Sequence, residues 1–247
     1  MAAEPTRFAR PLRAVLFDVG GPIDTEVISE AEKDRAIRAA MEAEGIEVSD
    51  AAYSAANDWA VAAFAPDTYA SIIWRLASGD AQVAERAFAA FHGVEQTSVR
   101  GGIELRSGIR ALVEALHSRG ILLGLAANQP RRAVAELDSL GVGRYFAHRE
   151  VSGHHGFRKP DVRLFLRALE DMEVERDECV MVGDRVDNDI VPAKLLGMRT
   201  VLFRTGRHIA QQPRSVQEIP DAEVRSAEEL TAELLRITEP AEGPSSN

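Results

Sequence analysis

Ala14-Val15-Leu16-Phe17-Asp18-Val19-Gly20-Gly21-Pro22 packs a strand, a carboxylate and a chain reversal into nine residues. Four apolar residues closed by Gly and Pro read as a buried strand that stops abruptly. Asp18 then lies at the carboxyl end of that strand, where open α/β sheets place their ligands. A second run, Cys179-Val180-Met181-Val182, ends alike in Gly183-Asp184, with Asp187 and Asp189 close behind. Two acidic strand ends, far apart in sequence, imply one site assembled from distant segments.

Downstream of residue 105, helix and strand signals alternate. Ile109, Leu112, Val113 and Leu116 recur at helical spacing, with Gly120 where a helix C-cap belongs. A strand over 121–126 follows, then a helix marked by Val134, Leu137 and Leu140 and closed by Gly141. Pro160 stands at a first helical position, ahead of the stripe Val162, Phe165, Leu166 and Leu169. After the Cys179 strand come a short helix ending near Gly197, a strand over 200–203, and a last helix through Leu235 with a Ser226–Glu229 capping box. This alternation predicts a parallel sheet wrapped on both faces. The fold class is α/β: a Rossmann-like parallel sheet core with an inserted helical cap.

The insertion is helical throughout. Ile37, Ala40 and Met41 mark one helix, Tyr69, Ile72, Ile73 and Leu76 another, and Ala84, Ala87, Phe88 and Phe91 a third. No strand-like alternation occurs between residues 26 and 92, and the segment predicts a four-helix cap tethered by 20–25 and 99–107. An insertion directly after a strand-end carboxylate is expected to cover the site and to close on a substrate. The expected boundaries are 10–24 and 106–238 for the discontinuous core and 25–105 for the cap, with disordered termini at 1–9 and 239–247. Trp74 lies off the stripe of its helix; it faces either the cleft or solvent.

Composition bounds the function. At 247 residues and 45% hydrophobic, the chain can bury one sizeable core and a satellite domain. A formal charge of −10 and a pI near 5.2 argue against nucleic-acid and anionic-membrane partners. Cys179 is the only cysteine, which excludes an internal disulfide and points to a reducing compartment. No run reaches signal-peptide or membrane-spanning character. A soluble, cytoplasmic protein is expected, as monomer or homodimer.

Four segments resemble, in order and spacing, the motifs of the haloacid dehalogenase-like hydrolase superfamily. They are Phe17-Asp18-Val19-Gly20-Gly21, Leu125-Ala126-Ala127-Asn128, Lys159-Pro160-Asp161 and Gly183-Asp184-Arg185-Val186-Asp187-Asn188-Asp189. The resemblance spans roughly residues 12 to 206 and implies a phosphatase-like hydrolase with a helical cap. It implies Asp18 as nucleophile, and Mg²⁺ held by Asp18, the carbonyl of Gly20 and Asp184, with Asp189 supporting through water. Lys159 would balance the charge of the attacked phosphoryl group, while Asn128 and Gly21 would contact a small phosphorylated substrate.

Those residue types suit the chemistry. Transfer to an aspartate splits phosphomonoester hydrolysis into two easier steps. A carboxylate attacking an anionic phosphate needs a hard cation and an ammonium to screen the repulsion. Of the 29 Lys and Arg residues only Lys33, Lys159 and Lys194 are lysine. Where Arg is the default cation, a loop Lys suggests a need for a compact point charge. Asp187 reads equally as a helix-start cap, and His154 and His155 stand near Lys159 as candidate acid/base groups or as exposed loop residues.

Two positions depart from the family pattern. The second aspartate expected two residues after the nucleophile is Gly20, which moves no proton, and the expected Ser or Thr before Asn128 is Ala127. Losing positioned acid/base help forfeits roughly 10²–10⁴ in rate. The readings are therefore a magnesium-dependent phosphatase with attenuated activity, a non-catalytic phosphate-ligand binder or scaffold, a metal-independent dehalogenase, and a phosphonate-cleaving enzyme needing a cap lysine such as Lys33. The retained Asp184 and Asp189 weigh against the dehalogenase.

Overall fold

The computed structural model of the chain describes residues 10–97 and 102–239. The chain divides into an α/β unit, Met1–Thr25 with Leu105–Thr205 and Pro213–Asn247, and a helical unit, Glu26–Glu104 with Gly206–Gln212. Residues 206–212, read from the sequence as core, thus group with the helices. The termini expected to be disordered fall outside the described residues, Glu239 apart, as does part of the tether expected over 99–107.

Strand β1 (Ala14–Phe17) is buried along its whole length, as expected of a strand covered on both faces. The helical unit follows with α1 (Val27–Ala43), α2 (Asp50–Ala62), α3 (Thr68–Leu76) and α4 (Ala81–Thr97). Ser49 and Asp67 cap α2 and α3 by accepting from the N–H of Ala52 and Ala70, each such cap being worth about 1 kcal/mol. The core of the unit is Ile37, Met41, Ala60, Ile72, Ile73, Ala87 and Phe91, where small alanines let the helices approach closely. Trp74 is exposed to 45%.

The helical unit also encloses a charged network. Glu30 on α1 accepts from Lys33 (2.7 Å) and from the Tyr69 hydroxyl (2.5 Å), and it pairs with Arg207. Arg207 donates further to Asn57 and Asp34, both at 2.5 Å. Burial alone would raise the Glu30 pKa, yet Lys33 and Arg207 hold it down at about 2. Arg207 thereby fastens the 206–212 segment into the helical unit. Lys33 is spent on Glu30 and Tyr69, inside this network.

The α/β unit continues with α5 (Ile109–Ser118), β2 (Leu122–Leu125), α6 (Arg132–Ser139), β3 (Phe146–His148), α7 (Arg163–Asp171) and β4 (Cys179–Gly183). It ends with α8 (Val191–Leu195), β5 (Arg199–Phe203), β6 (Ala222–Val224) and α9 (Ala227–Ile237). The six strands form one sheet in the order β3-β2-β1-β4-β5-β6, with every pair parallel. The expected Rossmann-like α/β class is what the chain adopts. Phe17 is in register with Leu125 on one side and Val182 on the other. The order reverses at β1, and such a switch point opens the ligand crevice beyond the strand ends.

Several local readings shift. The α5 stripe is buried as expected, but α6 rests on Ala133 and Leu137 and α7 on Leu164, Phe165, Ala168 and Leu169. Pro160 is not a first helical residue: it follows a cis peptide, and α7 begins three residues later. There the Asp161 side chain accepts from the Arg163 N–H at 3.0 Å. Ser226 caps α9, while Glu229 reaches back to the Arg225 N–H and not to Ser226 itself. Strands β3 and β6 are three residues each, too short to leave a period in the sequence. Among the described residues no helix is long and apolar enough to cross a membrane.

Candidate active site

Both acidic strand ends meet at the switch point. Asp18 follows β1 directly, its N–H donating to the Val182 carbonyl of β4 at 2.8 Å. Asp184 follows β4, and Asp189 sits in the π-helical turn Val186–Ile190 behind it. One carboxylate oxygen from each of Asp18, Asp184 and Asp189 lies within 4.8 Å of the other two. All three are buried, Asp189 completely.

Lys159 arrives on the loop before α7 and is itself buried. Its Nζ contacts Asp18 Oδ2 at 2.8 Å and Asp189 Oδ1 at 2.5 Å. The other oxygens are held as well: Asp18 Oδ1 accepts from the Val19 N–H at 2.7 Å and Asp189 Oδ2 from the Arg185 N–H at 2.9 Å. Burial opposes the charge on Lys159, but Asp18 and Asp189 outweigh it and raise its pKa. Burial raises the Asp189 pKa, Asp18 adding to the rise and Lys159 working against it. A buried ammonium between two carboxylates stays charged because their attraction outweighs the cost of removing it from water.

Small residues make this crowding feasible. A Cβ on Gly183 would fall 2.2 Å from Asp189 Cγ, so any side chain there would evict the carboxylate. Gly21 adopts φ +79°, and a Cβ on it would stand 2.9 Å from Asp184 Cβ. Gly21 therefore backs Asp184.

The other sequence candidates have specific places. Asn128 spends its amide on the lysine loop: its Nδ2 donates to the Lys159 carbonyl at 3.0 Å and its Oδ1 accepts from the Lys159 N–H at 2.8 Å. This clasp was invisible in the sequence, where residues 128 and 159 belong to separate motifs. Ala127 is fully buried. Asp187 is held by Arg185 through two bonds of 3.1 and 2.6 Å, not by a helix start. His154 Nδ1 accepts from the Val151 N–H at 3.1 Å, and His155 stacks on Phe157 with ring centres 4.8 Å apart.

The charge balance says what the cluster can hold. Four acids, Asp18, Asp184, Asp187 and Asp189, stand against two cations: Lys159 between Asp18 and Asp189, and Arg185, bonded to Asp187 and within the field of Asp184 and Asp189. The remaining negative charge and an all-oxygen donor set fit a hard divalent cation. An aspartate next to a fixed ammonium is also the arrangement of a nucleophile aimed at an anionic electrophile.

The chain is similar in sequence and in fold to known proteins. A model of the haloacid dehalogenase-like hydrolases matches residues 12–197. A glyceraldehyde 3-phosphate phosphatase of Methanopyrus kandleri is 28% identical over 227 residues, which cover 89% of this chain and 95% of that protein. A phosphoserine phosphatase of Thermus thermophilus is 32% identical over 121 residues, 49% of this chain and 47% of that protein. Among solved structures, the YfnB hydrolase of Bacillus subtilis, bound to magnesium, superposes with a TM-score of 0.62 at 20% identity, covering 94% of this chain and 100% of that one. A predicted phosphoglycolate phosphatase from Haemophilus somnus gives 0.66 at 18% identity, covering 92% and 98%.

Proposed function

The chain belongs to the haloacid dehalogenase-like hydrolases, and we propose that it is a phosphatase that hydrolyses a small phosphomonoester with Mg²⁺ through an aspartyl-phosphate on Asp18. The observation that carries this reading is the Lys159 ammonium seated between Asp18 and Asp189, with Asp184 beside them. Asp18, Asp184 and the Gly20 carbonyl would hold the ion, with Asp189 behind them. The ion supplies positive charge that screens the phosphoryl oxygens and lowers the barrier to attack.

The side chains divide the remaining work. A carboxylate oxygen of Asp18 attacks phosphorus, the bond to the leaving oxygen breaks, and the phosphoryl group is left on Asp18. Lys159, touching that carboxylate, neutralises charge as it accumulates on the phosphoryl oxygens. Asn128 keeps the Lys159 backbone in place by its two bonds, and Gly21 meets the substrate through its main chain. Water then attacks phosphorus and breaks the Asp18–phosphorus bond, releasing inorganic phosphate and restoring the carboxylate. Gly20 offers no proton to the leaving group, so substrates whose leaving oxygen is a weak base are favoured. The helical unit takes the role of cap in this reading.

Gly20 and Ala127 together support one competing reading, a protein that binds a phosphorylated ligand without turning it over. A phosphate-release screen separates the two. Glyceraldehyde 3-phosphate, phosphoserine and phosphoglycolate, the compounds named for the relatives, would be offered alongside an aryl phosphate. Release that needs Mg²⁺, stops with chelator and is lost in Asp18→Asn is the expected result. Saturable binding of the same compounds with no release would establish the binder.

A further inference from the structure

The turn after the nucleophile is held by more than its own hydrogen bonds. The Val19 carbonyl accepts from the N–H groups of Ile23 and Asp24 at 3.1 and 2.8 Å, which closes the turn. The chain re-entering the α/β unit then pairs with it. Asp24 and Leu105 form an antiparallel bridge, and the Arg106 N–H donates to the Ile23 carbonyl at 2.8 Å. The Arg106 side chain crosses the turn: Nε donates to the Gly21 carbonyl at 2.7 Å and Nη2 to the Thr205 hydroxyl at 3.0 Å. Its guanidinium lies over the ring of Phe203, 4.8 Å from the centre.

Gly21 is the point where this brace meets the acidic cluster. The position of an added Cβ on Gly21 is 2.9 Å from Asp184 Cβ, 3.0 Å from Asp184 Cγ and 3.2 Å from Thr205 Cγ2. Gly21, Asp184 and Thr205 therefore pack as one unit, and Arg106 ties two of its members together. The carbonyl it grips belongs to the residue following Gly20, so its grip also limits rotation of the Gly20–Gly21 backbone.

The geometry points to Arg106 as the positioning residue of the metal centre, fixing both the Gly20 carbonyl and the Asp184 side chain without touching the ion. This rests on reading Asp18, Gly20 and Asp184 as the magnesium ligands. The planar fork of an arginine satisfies two acceptors at a fixed angle while stacking on a ring; a lysine ammonium in its place reaches one of them. Loss of partners that orient metal ligands typically weakens affinity about 10- to 100-fold.

Calorimetric titration with Mg²⁺, without substrate, tests the assignment. Arg106→Met keeps the apolar stem over Phe203 and removes both hydrogen bonds; its Mg²⁺ dissociation constant should rise about tenfold or more. Arg106→Lys should lie between native and Met, and Thr205→Val should move the same way by less. A purely structural role would lower the melting temperature, followed by circular dichroism, without moving affinity in the folded protein. Native affinity in folded Arg106→Met, or in Thr205→Val should the Met variant not fold, overturns the assignment. If Asp184→Asn loses Mg²⁺ while Arg106→Met keeps it, only the role of Arg106 falls. If the native protein binds no Mg²⁺, the metal centre falls and the role of Arg106 with it.

Discussion

At the scale of single residues, the chemistry turns on what each oxygen and nitrogen is already doing. Lys159 is useful because both of its carboxylate partners are also pinned by main-chain N–H groups. Asn128 pins the lysine in turn. Asn128→Ala should therefore leave the fold intact, at a cost of about 1–3 kcal/mol for two bonds. It should lower kcat/KM by about ten- to a hundredfold through a misplaced ammonium. Asn128→Asp, which sets a carboxylate oxygen against the Lys159 carbonyl in place of the donor, should lose at least as much; an unchanged kcat/KM in folded Asn128→Ala would remove the amide from the catalytic arrangement. Gly20→Asp argues the opposite way, toward gain. A carboxyl there supplies the absent proton donor, and alkyl phosphates should speed up by as much as about 10²-fold, aryl phosphates by much less. A plot of kcat/KM against leaving-group pKa for both proteins decides it, since a flat native profile means that another group already donates.

At the scale of elements, α1 is held by charge as well as by its apolar face. Glu30 stands on it, and burial would raise its pKa were it not for Lys33 and Arg207, which bring it to about 2. A depressed carboxylate binds its proton less readily when folded than when unfolded, so it stabilises the folded state above an unfolded value near 4.5. That contribution disappears as pH falls from there through about 2. The shift corresponds to about 3 kcal/mol at 1.36 kcal/mol per unit. The chain's two tryptophans, Trp59 and Trp74, both belong to the helical unit, so urea unfolding followed by tryptophan emission reports on that unit. The native protein should lose stability between pH 4.5 and 3, whereas Glu30→Gln should start lower at pH 7 and lack this part of the slope. Equal slopes would show that Glu30 is not the titrating group. The sheet shows a different dependence: β1 needs only its apolar residues, and its place is fixed by register with β2 and β4.

For the whole molecule, Asp18, Asp184, Asp187 and Asp189 set four carboxylates against the two cations Lys159 and Arg185, and a further cation that binds them should stabilise the fold. At a Mg²⁺ concentration about 100 times its dissociation constant the gain is about 2.7 kcal/mol. For a chain of this size that amounts to a rise of about 5–10 °C in the midpoint of the α/β unit. Differential scanning calorimetry with Mg²⁺ and with chelator checks it. Asp184→Asn should show no such rise, and a full response in that variant would place the ion elsewhere. The ion should matter less for Glu30, whose partners Lys33, Tyr69 and Arg207 all belong to the helical unit itself.

How much of this was legible in the amino-acid sequence follows from the range of the forces involved. The apolar runs at 14–17 and 179–182, the helical stripes and the glycines that end them act over a few residues, and they determined the α/β alternation, the helical insertion and the carboxylates at the strand ends. What acts between segments had to wait for the tertiary structure. Strands β3 and β6 are too short to show a period and exist because a neighbouring strand offers them a ladder. Arg207 looks like any surface arginine until the fold sets it against Glu30, Asp34 and Asn57, and that contact draws 206–212 to the helices. Gly183 and Gly21 read as turn residues, but Gly183 is required by the Asp189 side chain beside it, and Gly21 by Asp184 as well as by its own positive φ. Residue types and their order along the chain are local facts; which acid shares which ammonium is decided only when β1, β4 and the Lys159 loop converge, because hydrogen bonds and ion pairs form only at contact distance.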